Sequence, residues 1–122
     1  MYPSGTWDGF WQQDGYGRQP MTAFRLNFRG GEVTGGGADV VGRFVVAGEY
    51  EPATGAVTLV KRYLGKHKVV YRGSPDGEGC IGGEWTVTDS YFGTSFTHRG
   101  PFLLRPQLPE PSADDPVQEI EF

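Results

Sequence analysis

With Cys80 as its single cysteine, this chain can form no intrachain disulfide, and a reducing, cytoplasmic setting is the expectation that follows. No apolar run approaches the roughly 18 residues of a membrane-crossing helix. No membrane partner is therefore expected. Met1-Tyr2-Pro3-Ser4-Gly5 lacks the basic stretch and apolar core of a secretory leader, so none is expected. His67 and His98 are the only histidines, and neither has a partner at metal-ligand spacing. They read as surface imidazoles, with no metal and no cofactor. No segment carries the helical period of apolar residues. An excess of one charge is lacking as well. The net charge is -4, but five acids fall after Pro106, where no lysine or arginine occurs. The remainder is close to neutral. It has no basic stripe of the kind that binds nucleic acid, and no nucleic-acid partner is expected.

What the chain has in abundance is glycine, 20 of 122 residues, together with aromatic rings at 14%. This composition suits one all-β, turn-rich domain. The two residue types are arranged together. Gly5 precedes Trp7 by two positions, Gly42 precedes Phe44, Gly48 precedes Tyr50 and Gly83 precedes Trp85. Residues two apart on a strand share a face. Glycine lets a coiled strand bend, and the neighbouring ring covers the backbone it exposes.

About eight strands are readable. They are expected near 5–12, 21–29, 32–39, 43–50, 57–63, 68–73, 80–88 and 102–105, separated by turn signals such as Gly30-Gly31 and Ser74-Pro75-Asp76-Gly77. The segment 32–39 is the weakest, since Gly35-Gly36-Gly37 supplies no side chains. The segment 89–99 reads as an aromatic loop. In 21–29, Thr22, Phe24, Leu26 and Phe28 fall on one face. Short connections favour an antiparallel up-and-down barrel, because closure removes edge strands. A sandwich is the alternative. The barrel is expected to span 1–106. The tail 107–122 is rich in proline and acid and is expected to be disordered, with an apolar end at Val117, Ile120 and Phe122.

The expected inner face carries Trp7, Phe24, Phe44, Tyr50, Tyr63, Tyr71 and Trp85, and with them Lys61. Pairing 43–50 with 57–63 through their turn sets Lys61 opposite Val46. A lysine among apolar residues is costly unless it is paired or solvated. Either it reaches out at one rim, or the lumen holds a small ligand whose polar or anionic group meets Lys61 and tyrosine hydroxyls. The carboxylates Asp8, Asp39, Glu49 and Glu84 are scattered, and no catalytic residue is assigned. Asp39, after the triple glycine, reads as a loop residue capping backbone N–H groups. Gly77-x-Gly79-x-x-Gly82 matches a dinucleotide fingerprint by letter only, since a turn precedes it and a β pattern follows.

Gly5-Thr6-Trp7, Gly48-Glu49-Tyr50, Gly83-Glu84-Trp85 and Gly100-Pro101-Phe102-Leu103-Leu104 together resemble the avidin-like and lipocalin group of calycin barrels, at the level of architecture. The resemblance implies eight strands and a ligand site at an open end. It departs from avidin at Asp8 and Gly9, where a biotin site needs other polar residues. The leading expectation is a non-enzymatic barrel binding a small, largely apolar ligand through Trp7, Tyr50, Lys61, Tyr63, Tyr71 and Trp85. The alternatives are a solid interaction or assembly module acting through 89–99 or the tail, with a homo-oligomer as one form, and an isomerase or cyclase using a lumen acid or tyrosine.

Overall fold

The computed structural model describes residues 2–65, 67–91 and 93–107. They form eight antiparallel strands: β1 (Gly5–Gln13), β2 (Gly17–Arg29), β3 (Glu32–Ala38), β4 (Arg43–Tyr50), β5 (Val57–Tyr63), β6 (Lys68–Pro75), β7 (Ile81–Tyr91) and β8 (Thr94–Pro106). Each pairs with the next, and β8 returns to β1, so the sheet is a closed up-and-down barrel. The tail 108–122 lies outside the described residues. Gln107 is inside them and is held at the barrel wall, its N–H donating to the Thr6 carbonyl at 2.8 Å.

Strand direction sorts the connections into two ends. The turns after β2, β4 and β6 and the N-terminal segment share one end, which is filled. Tyr2 folds under it: its hydroxyl donates to the Gly55 carbonyl at 2.5 Å. Its ring meets Trp7, Phe28 and Tyr50 with centroids 6.1, 5.1 and 6.5 Å away. Trp7 is fully buried and donates its indole N–H to the Pro3 carbonyl at 2.9 Å. Replacing Tyr2 with alanine removes this plug. A loss of about 3 kcal/mol is expected from emptying such a packed aromatic site, against about 1 kcal/mol for Tyr2→Phe, which loses only the hydrogen bond. Urea midpoints of the two variants check this; equal midpoints would show that the ring does not seal the end.

Of the four glycines in the Gly-x-aromatic pattern, Gly48 and Gly83 sit against a neighbouring strand, whereas a methyl on Gly5 or Gly42 would meet nothing within 4 Å. A methyl group built on Gly48 or Gly83 would lie far inside contact distance of the Thr58 or Arg72 carbonyl on the adjacent strand. The adjacent strands approach too closely there to admit a side chain. Tyr50 and Trp85 lie two residues on. The triple glycine behaves likewise. Gly35 faces the Arg25 backbone so closely that no side chain fits. The segment expected at 32–39, weak as a strand by composition, is thus the regular strand β3 over Glu32–Ala38, with Asp39 in the turn that follows.

Three further expectations are corrected. The expected loop 89–99 is a hairpin: β7 and β8 stay paired from Asp89↔Phe96 to Tyr91↔Thr94. Pro20, which lies before the expected strand 21–29, stands inside β2 opposite Phe10. It is tolerated because β2 pairs with β3 only over Arg25–Arg29, leaving the first half of β2 without a neighbour on that side. A register shift between Trp7 and Gly9 also breaks the expected face of β2. Phe24, Leu26 and Phe28 remain covered, but Met21 takes the covered position in place of exposed Thr22.

Candidate functional site

The other end of the barrel is bounded by the turns after β1, β3, β5 and β7. It holds a cavity of about 460 Å³. That lies within the range of small-molecule sites and suits one small ligand in an eight-stranded barrel. Val46, Leu59 and Leu104 border it with apolar side chains, and Phe24, Phe44, Trp11, Trp85, Val69 and Val87 continue that surface. Trp11 and Trp85 meet edge to face at 5.7 Å, and the Trp85 indole N–H donates to the Gln12 carbonyl at 3.0 Å. Near where β2 and β3 part, Asp39, Val40 and Val41 of the β3–β4 turn line the cavity with Gln19, Pro20 and Met21.

Alternation along β5 turns Val57, Leu59, Lys61 and Tyr63 inward. The register places Lys61 opposite Val46, as the turn length predicts. The lysine does not reach out alone. Its ammonium donates to Asp39 Oδ2 at 3.0 Å, with the two side chains 13% and 18% exposed. It also stands 4.4 Å from the centre of the Phe44 ring and 4.9 Å from that of Tyr63. Tyr63 donates its hydroxyl to the same Asp39 oxygen at 2.6 Å. The other oxygen, Oδ1, accepts the Val41 and Gly42 N–H groups at 2.9 and 3.4 Å. Asp39 therefore caps its loop as its sequence context suggests. It also supplies the counter-charge inside the barrel, which sequence reasoning missed. The available signal was electrostatic: an inward lysine on β5 needs an acid at the same end, and the β3–β4 turn carries one.

Burial works against charge in both partners, and the outcomes differ. For Asp39 it raises the pKa, but the Tyr63 and Lys61 hydrogen bonds, the Lys61 charge and the Val41 N–H together pull it below the ordinary value. For Lys61, burial lowers the pKa further than the single carboxylate raises it. The asymmetry is physical: the carboxylate receives four donors, whereas the ammonium donates to one acceptor. Burial, reinforced by the Asp39 charge, pushes the Tyr63 and Tyr71 hydroxyls well above the ordinary phenol range. Both are neutral hydrogen-bonding groups.

Tyr71 is buried and lines the cavity, yet its hydroxyl has no hydrogen-bond partner among the described residues. No fully enclosed polar side-chain atom lacks a partner among those residues. The Tyr71 hydroxyl is thus open to the cavity.

Of the six residues expected to hold a ligand, Lys61, Tyr63, Tyr71 and Trp85 come together at this cavity. Trp7 and Tyr50 do not line it; they belong to the ring cluster with Tyr2 and Phe28 at the filled end. The inner face is one surface in sequence, but the barrel's length divides it between a plug and a cavity. Compared with known proteins, the chain matches no family model, no curated protein and no solved structure.

Proposed function

We propose that this protein is a non-enzymatic barrel that binds a small, largely apolar ligand with one uncharged polar head. The observation that carries the proposal is the apolar cavity of about 460 Å³ bordered by a polar cluster that is already charge-balanced. The eight-stranded closed barrel is consistent with a calycin-like architecture, and the avidin-like and lipocalin likeness of the sequence favours the same reading by analogy. A solid interaction module would have little use for such a cavity.

The head group follows from the charges. Lys61 would attract a carboxylate if it stood alone. Paired with Asp39 it presents no net charge, and an anion would lose its hydration without full compensation. An alcohol, amide or ketone loses less and can meet the Tyr71 hydroxyl and the spare ammonium N–H groups.

The three tryptophans provide the test, since Trp11 and Trp85 line the cavity and Trp7 does not. Titration with 1-decanol, decanamide and decanoate should change the fluorescence of wild type and of Trp7→Phe. The change should vanish in the Trp11→Phe/Trp85→Phe double variant. Native mass spectrometry should show one neutral amphiphile per chain, with decanoate at least about tenfold weaker, the size of effect that one mismatched buried polar contact gives. Absence of a stoichiometric complex with either neutral probe would refute the proposal.

A further inference from the structure

We infer that the open end docks on an anionic lipid bilayer surface. The large exposed apolar residues are Tyr16, Val40, Val41, Val45, Leu64 and Phe96. All but Val45 belong to the open end. Tyr16 is on the β1–β2 turn, Val40 and Val41 on the β3–β4 turn, Leu64 on the β5–β6 turn and Phe96 on the β7–β8 hairpin. Val40 is wholly exposed. Apolar side chains scattered singly over a surface call for no explanation, but a set gathered at one end does.

Charge identifies the occupant. Exposed Arg18, Arg43, Arg62 and Lys68 stand at the open-end termini of β2, β4, β5 and β6. Arg43, Arg62 and Lys68 have no acidic partner among the described residues. Against them stand three acids: Asp14, which is exposed, Asp39, which is engaged by Lys61, and Asp89 on the open-end stretch of β7. The filled end has the opposite balance: Glu32, Glu49, Glu51, Asp76 and Glu78 are exposed there against Arg29, while Arg105 is paired with Asp8. A near-neutral barrel is thus polarised along its axis, and a negative surface would orient it mouth first. Apolar tips within a ring of bases fit the headgroup boundary of an anionic bilayer, where side chains enter the acyl edge and bases meet lipid phosphates. The absence of a spanning segment, which argues against a membrane partner from sequence, does not bear on docking at the surface. In this orientation the cavity mouth faces the bilayer. The inference rests on the rim and the charges, independently of any lumen ligand.

The full chain should co-sediment with phosphatidylcholine vesicles containing 30% phosphatidylserine and scarcely with phosphatidylcholine alone. Binding should weaken at least about tenfold between 0.05 and 0.5 M NaCl, as screening of surface charges requires. The Tyr16→Ser/Val40→Ser/Leu64→Ser and Arg43→Ser/Arg62→Ser/Lys68→Ser variants should each lose about tenfold in affinity with unchanged thermal melting, since every altered side chain is exposed. Arg29→Ser, at the filled end, should bind as wild type. Val69→Phe, which occupies the lumen and leaves the rim intact, should also bind vesicles as wild type, so docking and lumen binding fail separately. No binding to the anionic vesicles, or binding indifferent to both rim variants, would overturn the inference. So would a solution dimer that the rim variants dissolve, because a second copy would then cover this face.

Discussion

Asp39→Asn is expected to lower stability by about 3 kcal/mol at neutral pH, the lower end of the range for breaking a buried ion pair, because this pair is slightly wetted at the mouth. The loss comes from Lys61, which keeps its burial and loses its counter-charge. Lys61→Met in the same chain should recover most of the loss, since a methionine places a similar volume against Phe44 and Tyr63 without a charge. Urea midpoints of the two single variants and the double variant measure it. A double variant no better than Asp39→Asn alone would show that Asp39 acts by capping its loop rather than by neutralising the lysine.

The same pair fixes a pH dependence. Asp39 has a folded-state pKa below its ordinary value. Its contribution is therefore fully present above the unfolded-state pKa of about 3.9 and is lost as pH falls through the lower, folded value. Asp39→Asn should lack that part of the acid transition. In the variant, Lys61 loses the partner that raised its pKa. The folded state then binds fewer protons than the unfolded one at mildly alkaline pH, so the variant should gain stability as pH rises towards the ordinary lysine value. Denaturation from pH 3 to 10 checks both slopes. A variant whose stability stays flat on the alkaline side would contradict the burial of a charged Lys61.

Gly48→Ala and Gly83→Ala should each cost about 3 kcal/mol, the upper end for overpacking, or roughly 10 °C in melting temperature. In each case the added methyl points into a backbone carbonyl of the adjacent strand, which cannot rotate away as a side chain would. Gly82→Ala is the control. It lies next to Gly83, but its methyl would meet only Leu103 Cδ1 at 3.7 Å and the Phe102 carbonyl at 4.0 Å. Its effect should be under about 1 kcal/mol, since the methyl makes only ordinary van der Waals contacts. Thermal melts of the three variants decide. Equal effects at Gly82 and Gly83 would mean that strand propensity, and not inter-strand approach, sets the need for glycine.

The fold was most legible where one face of a strand is buried and the other is wet. β4 and β5 show this alternation cleanly, and the turn between them leaves one register, with Val46 opposite Lys61. The 89–99 hairpin gave no such signal because residues 94–99 are exposed on both faces, so nothing alternates. β3 was obscured for the opposite reason: its glycines are required by neighbours on other strands, which no local pattern reports. β2 misled through its bulge, which moves Met21 into the position that a period of two assigns to Thr22.

The site was half legible. An inward Lys61 among tyrosines could be seen, but its carboxylate arrives from a turn 22 residues away. The division of the inner face into plug and cavity depends on Tyr2. That residue lies outside the strands and closes one end by a bond to Gly55, 53 residues on.

The central claim is that the open half of the barrel encloses a ligand and the filled half does not. Nuclear Overhauser contacts between bound 1-decanol and the protein methyl groups test this most directly. Contacts from the alkyl chain to Val46, Leu59, Val69 and Val87, with none to Val33 or Val57 and all lost in Val69→Phe, are the predicted result. Contacts confined to the outer wall at Val45, or a pattern that survives Val69→Phe, would contradict it.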